Sequence, residues 1–168
     1  MGADPLRTLT PRIVALFSLV AAGLALGLAL GSEYWGGLVP CALCLWERVP
    51  YRIAISLAAL ALLWPSRIVL ALVAATMLGA AGLGAVHVGV EQGFWPSPLP
   101  ECAARITSVG SIADRMAAMP ARPAKPCDEP NFLIPLVPVS MATMNLLFAL
   151  AFAGGLAMYL LQPRRPPT

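Results

Sequence analysis

Four cysteines fall into two pairs in the sequence, and this arrangement suggests redox chemistry. Cys41 and Cys44 form a Cys-x-x-Cys motif, whereas Cys102 and Cys127 are widely separated. Thiol pairs exchange disulfides readily, because a thiolate of one pair attacks a disulfide sulfur of the other. In a chain this apolar, the two pairs predict that electrons pass from one pair to the other and then to an acceptor dissolved in lipid.

A basic side chain follows the motif at helical spacing. Pro40 directly precedes the motif, near the start of a helix, where proline is tolerated. Cys41 and Cys44 would then lie one turn apart at the N-terminal end of the helix dipole, which favours a thiolate. Arg48 would share a face with Cys44, where its permanent charge can stabilise a thiolate or a developing oxyanion on a bound acceptor. The simpler alternative, that Arg48 pairs with Glu47 or a lipid phosphate, stays open.

The spacing of the four cysteines also bears on other kinds of cysteine site. A haem-attachment motif requires a histidine after the second cysteine, and Leu45 stands there. A thioredoxin-type site requires a βαβ pattern, which the helical segments do not offer. A zinc site formed by all four cysteines stays open, although such sites usually repeat a short spacing. Two purely structural disulfides are the stronger alternative.

The composition is that of a membrane protein. Of 168 residues, 59% are hydrophobic and only 11% are charged, which is too apolar for a soluble core with a hydrated surface. Because a bilayer is spanned by about 20 apolar residues, we predict four spans, at residues 13–31, 49–64, 68–90 and 139–161. The second span is the weakest, because it needs Arg52 to snorkel to the surface. The sequence predicts an all-α bundle of four transmembrane helices that forms a single domain over residues 1–168.

The N-terminal apolar stretch has a second interpretation as a cleaved secretory signal. Its apolar run is longer than the roughly 7 to 15 residues of a signal core, so we treat it as the first span.

Basic residues predict the orientation of the bundle. They precede the first span, lie in the turn between the second and third, and follow the fourth: Arg7, Arg12, Arg67, Arg164 and Arg165. With four spans all of them lie on one side, which the positive-inside rule assigns to the cytoplasm together with both termini. The connections at about 32–48 and 91–138, with every cysteine, then face outward, where disulfides persist. The same anchors explain the net charge of +3, and no nucleic-acid partner is predicted.

The second outward connection is long and rich in proline, which opposes regular structure. Long connections without their own fold are usually functional or disordered, and this one carries two of the four cysteines. Within it, residues 105–119 place apolar side chains at helical spacing. We predict a short amphipathic helix on the outer leaflet, with packing against another protein surface as the alternative.

His87 is the one histidine, and it falls within the third predicted span. Ionisable groups in a membrane are costly and often functional, so His87 could line an acceptor pocket or relay protons. A hydrogen bond between helices is an equally good explanation. Asn145, in the fourth span, is interpreted as a packing residue.

These residues resemble the bacterial disulfide bond formation protein B family, DsbB. The resemblance covers nearly the whole chain, and its most specific part is the outer-edge Cys-x-x-Cys-x-x-Glu-Arg. It rests on Cys-Ala-Leu-Cys-Leu-Trp-Glu-Arg at 41–48, Gly-Val-Glu at 89–91, Pro-Ser-Pro at 96–98, Cys-Asp-Glu at 127–129, Ser-Met-Ala at 140–142 and Asn145.

The resemblance implies a thiol oxidase of the bacterial inner membrane. It implies that the reduced form of a soluble periplasmic oxidant of the thioredoxin fold, DsbA, attacks the Cys102–Cys127 disulfide and forms a mixed disulfide with Cys102. Cys127 would then join Cys41 in an interloop disulfide and free Cys44 as a thiolate. That thiolate would donate charge to a membrane quinone, either ubiquinone or menaquinone.

The resemblance also implies residues that bind the quinone. Arg48 would hold the quinone, and His87 is assigned to the same pocket. The chain departs from some family members, which carry a histidine near the outer end of the third span, where this chain has Gln92.

Two rival functions remain on sequence grounds. One is a conductor that carries reducing equivalents across the membrane, but no cysteine lies within a predicted span or on the inner side. The other is a non-enzymatic membrane scaffold whose disulfides only brace the outer loops.

Overall fold

Four long helices make up most of the molecule. The structure, a computed structural model, describes residues 9–102, 111, 125–133 and 138–163. The helices are α1 (Pro11–Tyr34), α2 (Ala42–Leu63), α3 (Arg67–Glu91) and α4 (Met141–Leu161), with a 3-10 turn at Pro100–Cys102. The predicted all-helical architecture is confirmed for this part of the chain. The amphipathic helix predicted for 105–119 lies outside the described residues, apart from position 111.

Each long helix begins at a side chain that accepts a backbone hydrogen bond. The first backbone N–H groups of a helix have no partner within the helix, so a side-chain acceptor at this position stabilises it. The four acceptors are Thr10, Cys41, Ser66 and Ser140. Three are the hydroxyl residues usual at such positions, whereas α2 begins at a cysteine.

Helices adjacent in the chain pack against each other, α1 on α2, α2 on α3 and α3 on α4. The buried contacts are made largely by small side chains, including Ala22, Ala54, Ala58, Ala80 and Ala149. Large apolar side chains instead face outward, among them Phe17, Ile68, Leu78, Leu147 and Met158. Small residues inside and large apolar residues outside are the arrangement that close helix packing in lipid requires.

By length and composition, α1, α3 and α4 are long and apolar enough to cross a membrane. With 22 residues, α2 would extend about 33 Å, which is long enough for the hydrocarbon core. It carries Glu47, Arg48 and Arg52, however, and is not among the helices that are apolar enough as well as long enough to cross a membrane. A membrane-spanning α2 therefore stays a prediction.

The helix that carries the motif is longer than the predicted second span. The span predicted at 49–64 stays a prediction, whereas α2 itself begins at Ala42 and continues through Pro50. Proline removes one helical hydrogen bond, and contacts to neighbouring helices compensate here, because Glu47 contacts α3 and Arg48 contacts α1. The motif therefore lies at the start of a continuous helix.

The end of the bundle opposite the cysteines is closed by Arg67. Its guanidinium donates to the carbonyl oxygens of Tyr159, Leu160 and Gln162 at 2.9, 2.6 and 3.0 Å, and it lies over the Tyr159 ring. A cation at the C-terminal end of a helix satisfies free carbonyls and complements the dipole. Arg67 therefore joins the start of α3 to the end of α4.

Candidate active site

Cys41 and Cys44 are neighbours at the start of α2. Their sulfur atoms are 2.7 Å apart, and the Cys44 backbone N–H donates to the Cys41 sulfur over 3.2 Å. Both cysteines are free; Cys41 is buried and Cys44 is partly buried. The predicted spacing of one helical turn is therefore confirmed, with Cys41 as the N-terminal cap of the helix.

The two thiols differ in acidity. The pKa of Cys41 is lowered because its sulfur accepts a hydrogen bond from the Cys44 thiol, which outweighs the opposing effect of burial. The pKa of Cys44 is raised, because its proton is held in the same hydrogen bond and because the group is buried. When both thiols are free, the thiolate therefore forms first on Cys41.

Cys102 and Cys127 form a disulfide, with their α-carbons 5.0 Å apart. They are buried in one cluster with Cys41, Leu43 and Val90. The structure thus brings the two cysteine pairs together at one end of the bundle.

Backbone and side-chain contacts hold the segment around Cys127 against the start of α2. Lys125 forms an isolated parallel bridge with Cys41. The Lys125 ammonium donates to the Asn131 side-chain oxygen over 2.6 Å, and the Asn131 amide donates to the Val39 carbonyl over 3.3 Å. These contacts tie the second connection to the first.

Arg48 pairs with a residue of the preceding helix. One guanidinium nitrogen is 2.6 Å from the Glu33 carboxylate, and the other donates to the Ala29 carbonyl over 3.4 Å. The sequence had offered Glu47 or a lipid phosphate as the simpler partner of Arg48. The observed partner is Glu33, because Glu47 turns instead to α3 and contacts His87.

An apolar cavity of about 330 Å³ lies beside Cys44, between α1, α2 and α4. Its polar lining comes from Cys44, Glu47, Arg48, Tyr51 and Asn145. Apolar side chains of α1 and α4 form the rest of the wall, including Leu24, Leu28, Met141 and Phe148. The shape and lining are those of a site for a small, mostly apolar molecule with a few polar atoms.

Tyr51 and Asn145 connect the walls of this cavity. The Tyr51 hydroxyl donates to the Asn145 side-chain oxygen over 2.5 Å. Within the described residues, the Asn145 amide nitrogen has no hydrogen-bond partner although it is buried. This nitrogen lies against α3, where a β-carbon built on Gly84 would be 3.3 Å from it. The buried amide therefore faces the contact between α3 and α4.

His87 faces Cys41 and does not line the cavity. Its Nε2 lies 3.5 Å from the Cys41 sulfur, and its Nδ1 lies 3.0 Å from a Glu47 carboxylate oxygen. Glu91 is the next acidic neighbour, 4.0 Å from Nε2, and it accepts a hydrogen bond of 2.5 Å from the Ser140 hydroxyl. His87 therefore connects α2 and α3 through both ring nitrogens.

The sequence matches a known protein family over most of its length. The family model described as "Disulfide bond formation protein DsbB" matches residues 11–159. The chain belongs to the DsbB family. Membership makes it an integral membrane protein of disulfide bond formation, in agreement with its three apolar helices.

The chain also resembles a curated protein whose name gives no substrate. The chain is 30% identical over 156 residues to "Uncharacterized protein RP370" of Rickettsia prowazekii (strain Madrid E), covering 91% of this chain and 90% of that one. No solved structure matches the chain.

Cys41, Cys44 and His87 place two sulfurs and a ring nitrogen within 4.8 Å of one another. Tetrahedral zinc with Zn–S bonds of about 2.3 Å would hold two sulfurs about 3.8 Å apart. The sulfurs of Cys41 and Cys44 are 2.7 Å apart, so these three residues are not arranged as a zinc site. The four-cysteine zinc site considered from the sequence does not form in this structure, because Cys102 and Cys127 are joined in a disulfide.

Sequence reasoning in this DsbB-family chain missed several contacts around the cysteines. Tyr51 was assigned to no site and Asn145 to packing, yet both line the cavity. The available signals were an asparagine within an apolar span and the helical spacing from Cys44 through Arg48 to Tyr51. Glu33 carried no comparable signal, because its contact with Arg48 joins two different helices.

Proposed function

We propose that this DsbB-family protein reoxidises a periplasmic DsbA-like oxidant and passes the electrons to a membrane quinone. One observation carries the proposal: the Cys41 and Cys44 pair lies between the buried Cys102–Cys127 disulfide and an apolar cavity that Cys44 lines. An electron relay needs this order of donor pair, middle pair and acceptor site.

The first exchange takes place at the Cys102–Cys127 disulfide, here called the outer pair. Cys41 and Cys44 are the inner pair. A thiolate of the reduced partner attacks Cys102, the Cys102–Cys127 bond breaks, and Cys127 leaves as a thiolate. This thiolate attacks Cys41 of an oxidised Cys41–Cys44 pair, and Cys44 leaves as a thiolate. The proximity of Cys41 and Cys127 in one buried cluster supports this step.

The second exchange releases the partner and restores the outer pair. The second thiolate of the partner resolves the mixed disulfide, so the partner leaves oxidised and Cys102 is freed. Cys102 then attacks Cys127 of the interloop disulfide and releases Cys41. The product has a Cys102–Cys127 disulfide and two free inner thiols, the same pairing that the structure has.

The acidity of the two inner thiols agrees with their separate roles. The pKa of Cys44 is raised first by the hydrogen bond that it donates to Cys41 and then by burial. When Cys41 is bonded to Cys127, that acceptor is no longer a thiolate, and Cys44 ionises more readily. Cys44 would then be the thiolate beside the cavity, as the family resemblance implies.

The cavity fits a quinone head group in its polar and apolar parts. Apolar side chains of α1 and α4 would contact the ring and the start of its tail, and the Arg48 guanidinium offers a donor for a carbonyl oxygen. The ion pair with Glu33 holds the Arg48 side chain in place at the wall. A quinone, either ubiquinone or menaquinone, supplies an acceptor for two electrons and two protons.

The proposal includes an orientation. The cysteine end of the bundle would face the periplasm of a bacterial inner membrane, and the Arg67 end would face the cytoplasm together with both termini. Oxidising conditions outside the cytoplasm and the positive-inside rule both support this.

The proposal is tested with purified protein in mild detergent, a reduced thioredoxin-fold oxidant and a short-chain quinone. We expect the quinone absorbance to fall as the partner is oxidised, and we expect Cys44→Ser to stop this while the protein remains folded. If Cys44→Ser keeps full activity, the proposed relay is wrong. A scaffold with purely structural disulfides would give no quinone reduction with the parent protein.

A further inference from the structure

The contacts of His87 resemble those of a catalytic base more than those of a packing residue. One ring nitrogen lies 3.5 Å from a cysteine sulfur, and the other lies 3.0 Å from a carboxylate of a different helix. The ring is 3% exposed and its Glu47 partner 8% exposed. A nucleophile, a base in hydrogen-bond reach and a third group that orients the base are the parts of a thiol or serine triad.

We propose that His87 is the base that takes the proton of Cys41 when Cys41 and Cys44 form their disulfide, with Glu47 as the residue that positions the ring. The acceptor of the electrons in this step is taken from the proposed function. The proton transfer is independent of that function, because it involves only side chains of this chain.

Two thiols become one disulfide, so both S–H bonds break, one S–S bond forms, two electrons go to the acceptor of the proposed function, and two protons are released. Nε2 of His87 is the atom beside the Cys41 sulfur, and it accepts the proton from Cys41. The Cys44 proton leaves on the cavity side, where Cys44 lies.

Glu47 fixes which ring nitrogen faces the thiol. Its carboxylate can only accept a hydrogen bond, so Nδ1 of His87 carries the hydrogen and Nε2 presents its lone pair to Cys41. After proton transfer the ring is positive, and the same carboxylate stabilises it. Glu47 is therefore a positioning residue in this proposal.

Other charged and titratable groups surround the ring and would modulate the transfer. Glu91 on α3 lies 4.0 Å from Nε2, and Lys125 of the second connection acts electrostatically on Glu91. Cys44 and Glu47 face the ring from α2. The Ser140 hydroxyl at the start of α4 holds Glu91 in place.

The first test measures Cys41 alone, without quinone or partner. The background is Cys44→Ala, so that Cys41 is the only free thiol, and a chelator is present because Cys41 and His87 are metal-ligand types. The rate of alkylation by iodoacetamide is followed from acid to alkaline pH by mass spectrometry. We expect His87→Gln to slow alkylation at pH 7 about tenfold, because a neighbouring histidine promotes the thiolate.

Two further variants complete the test. Glu47→Gln keeps a hydrogen-bond acceptor but removes the charge, so we expect an intermediate rate. Glu101→Gln removes an exposed carboxylate and serves as the matched control, with an unchanged rate. An alkylation profile of His87→Gln that superimposes on that of its background would overturn the proposal.

A second measurement does not depend on any substitution at His87. Since His87 is the only histidine, ¹⁵N-histidine labelling, with a purification tag that lacks histidine, gives signals from this ring alone. We expect the pH dependence of the ring signals to differ between the reduced parent and Cys41→Ser. Identical curves would contradict proton exchange with Cys41.

The two proposals fail in different ways. If the relay to quinone is wrong, the parent protein reduces no quinone while Cys41 still titrates with His87. If only the present inference is wrong, quinone is reduced, but the alkylation rate of Cys41 does not depend on His87 and the ring signals of His87 do not depend on Cys41.

Discussion

The two cysteine pairs differ in the backbone that carries them. Cys41 and Cys44 occupy the first turn of α2, so their separation is set by helical hydrogen bonds. Cys102 ends a 3-10 turn, Cys127 lies in a short turn, and their own disulfide is the link that joins these two parts of the chain. In the proposed relay, the inner pair serves a fixed acceptor site, whereas the outer pair is carried by the connection between α3 and α4 and serves the soluble partner.

The surroundings of the two pairs differ as strongly. The outer disulfide packs among apolar side chains, including Leu43, Val90 and Leu99. The inner pair lies among charged and titratable groups, namely Glu47, Arg48, His87 and, through Arg48, Glu33. In the proposed relay, charge and protons are therefore handled at the inner pair, and the outer pair only exchanges disulfides.

The largest effect should come from separating the two pairs. Double substitution Cys102→Ser and Cys127→Ser removes the outer pair, so we expect partner-driven quinone reduction to be lost. The inner pair is intact, so a small dithiol such as dithiothreitol should still drive quinone reduction. Both rates are read from the quinone absorbance in the same detergent.

Cys44→Ser serves as the converse of that variant. We expect it to lose both the partner-driven and the dithiol-driven reactions, because the sulfur beside the cavity is absent. Equal behaviour of the two variants with dithiothreitol would mean that the pairs are not arranged in series.

A smaller effect is expected at the cavity wall. Arg48→Ala removes a charged donor, and a hydrogen bond to a charged group contributes about 1.5–3 kcal/mol, so the KM for quinone should rise about tenfold or more. Arg52→Ala, on the exposed side of the same helix, is the matched control and should leave KM unchanged. An equal rise in KM in both variants would show that any positive charge on α2 has this effect.

The acidity of the inner pair predicts a pH effect. The pKa of Cys41 is lowered mainly by the hydrogen bond from Cys44, so Cys44→Ala should raise it. Alkylation of Cys41 at neutral pH should therefore be slower in Cys44→Ala than in the fully reduced parent, and the two rates should converge at alkaline pH, where both forms are thiolates. Peptide mass spectrometry that assigns the label to Cys41 measures this, and a faster reaction in the variant would contradict it.

The smallest expected effect concerns the start of the second connection. A methyl group at Gly89 would overlap the Trp95 ring, whose Nε1 donates to the Val86 carbonyl over 3.1 Å. We expect Gly89→Ala to displace this ring and to destabilise the protein by about 1–3 kcal/mol, seen as a lower Tm in detergent.

Gly79→Ala is the matched control for this substitution. Gly79 lies on the same helix with open space around its α-carbon. Alanine there should be neutral or slightly stabilising, because glycine weakens a helix relative to alanine by about 0.5–1 kcal/mol. An equal fall in Tm in the two variants would mean that the contact between Gly89 and Trp95 contributes nothing to stability.

Much of the inner pair was predictable from sequence and little of its surroundings was. Local spacing predicts that Cys41 and Cys44 lie one helical turn apart, because a helix relates residues within one or two turns. The contacts of Arg48 with Glu33 and of Glu47 with His87 join different helices, and no local spacing predicts which faces meet. Pro40 correctly predicts a helix start at the motif, but the continuation of α2 through Pro50 depends on contacts with α1 and α3 and has no local signal.

The most direct test of the relay is a disulfide map of the quinone-free protein, with its inner pair first oxidised, after addition of the reduced partner. We expect an interloop Cys41–Cys127 disulfide together with a mixed disulfide between the partner and Cys102, both identified by mass spectrometry of peptides trapped in acid. A map in which Cys127 never leaves Cys102 while the partner is oxidised would contradict transfer between the two pairs.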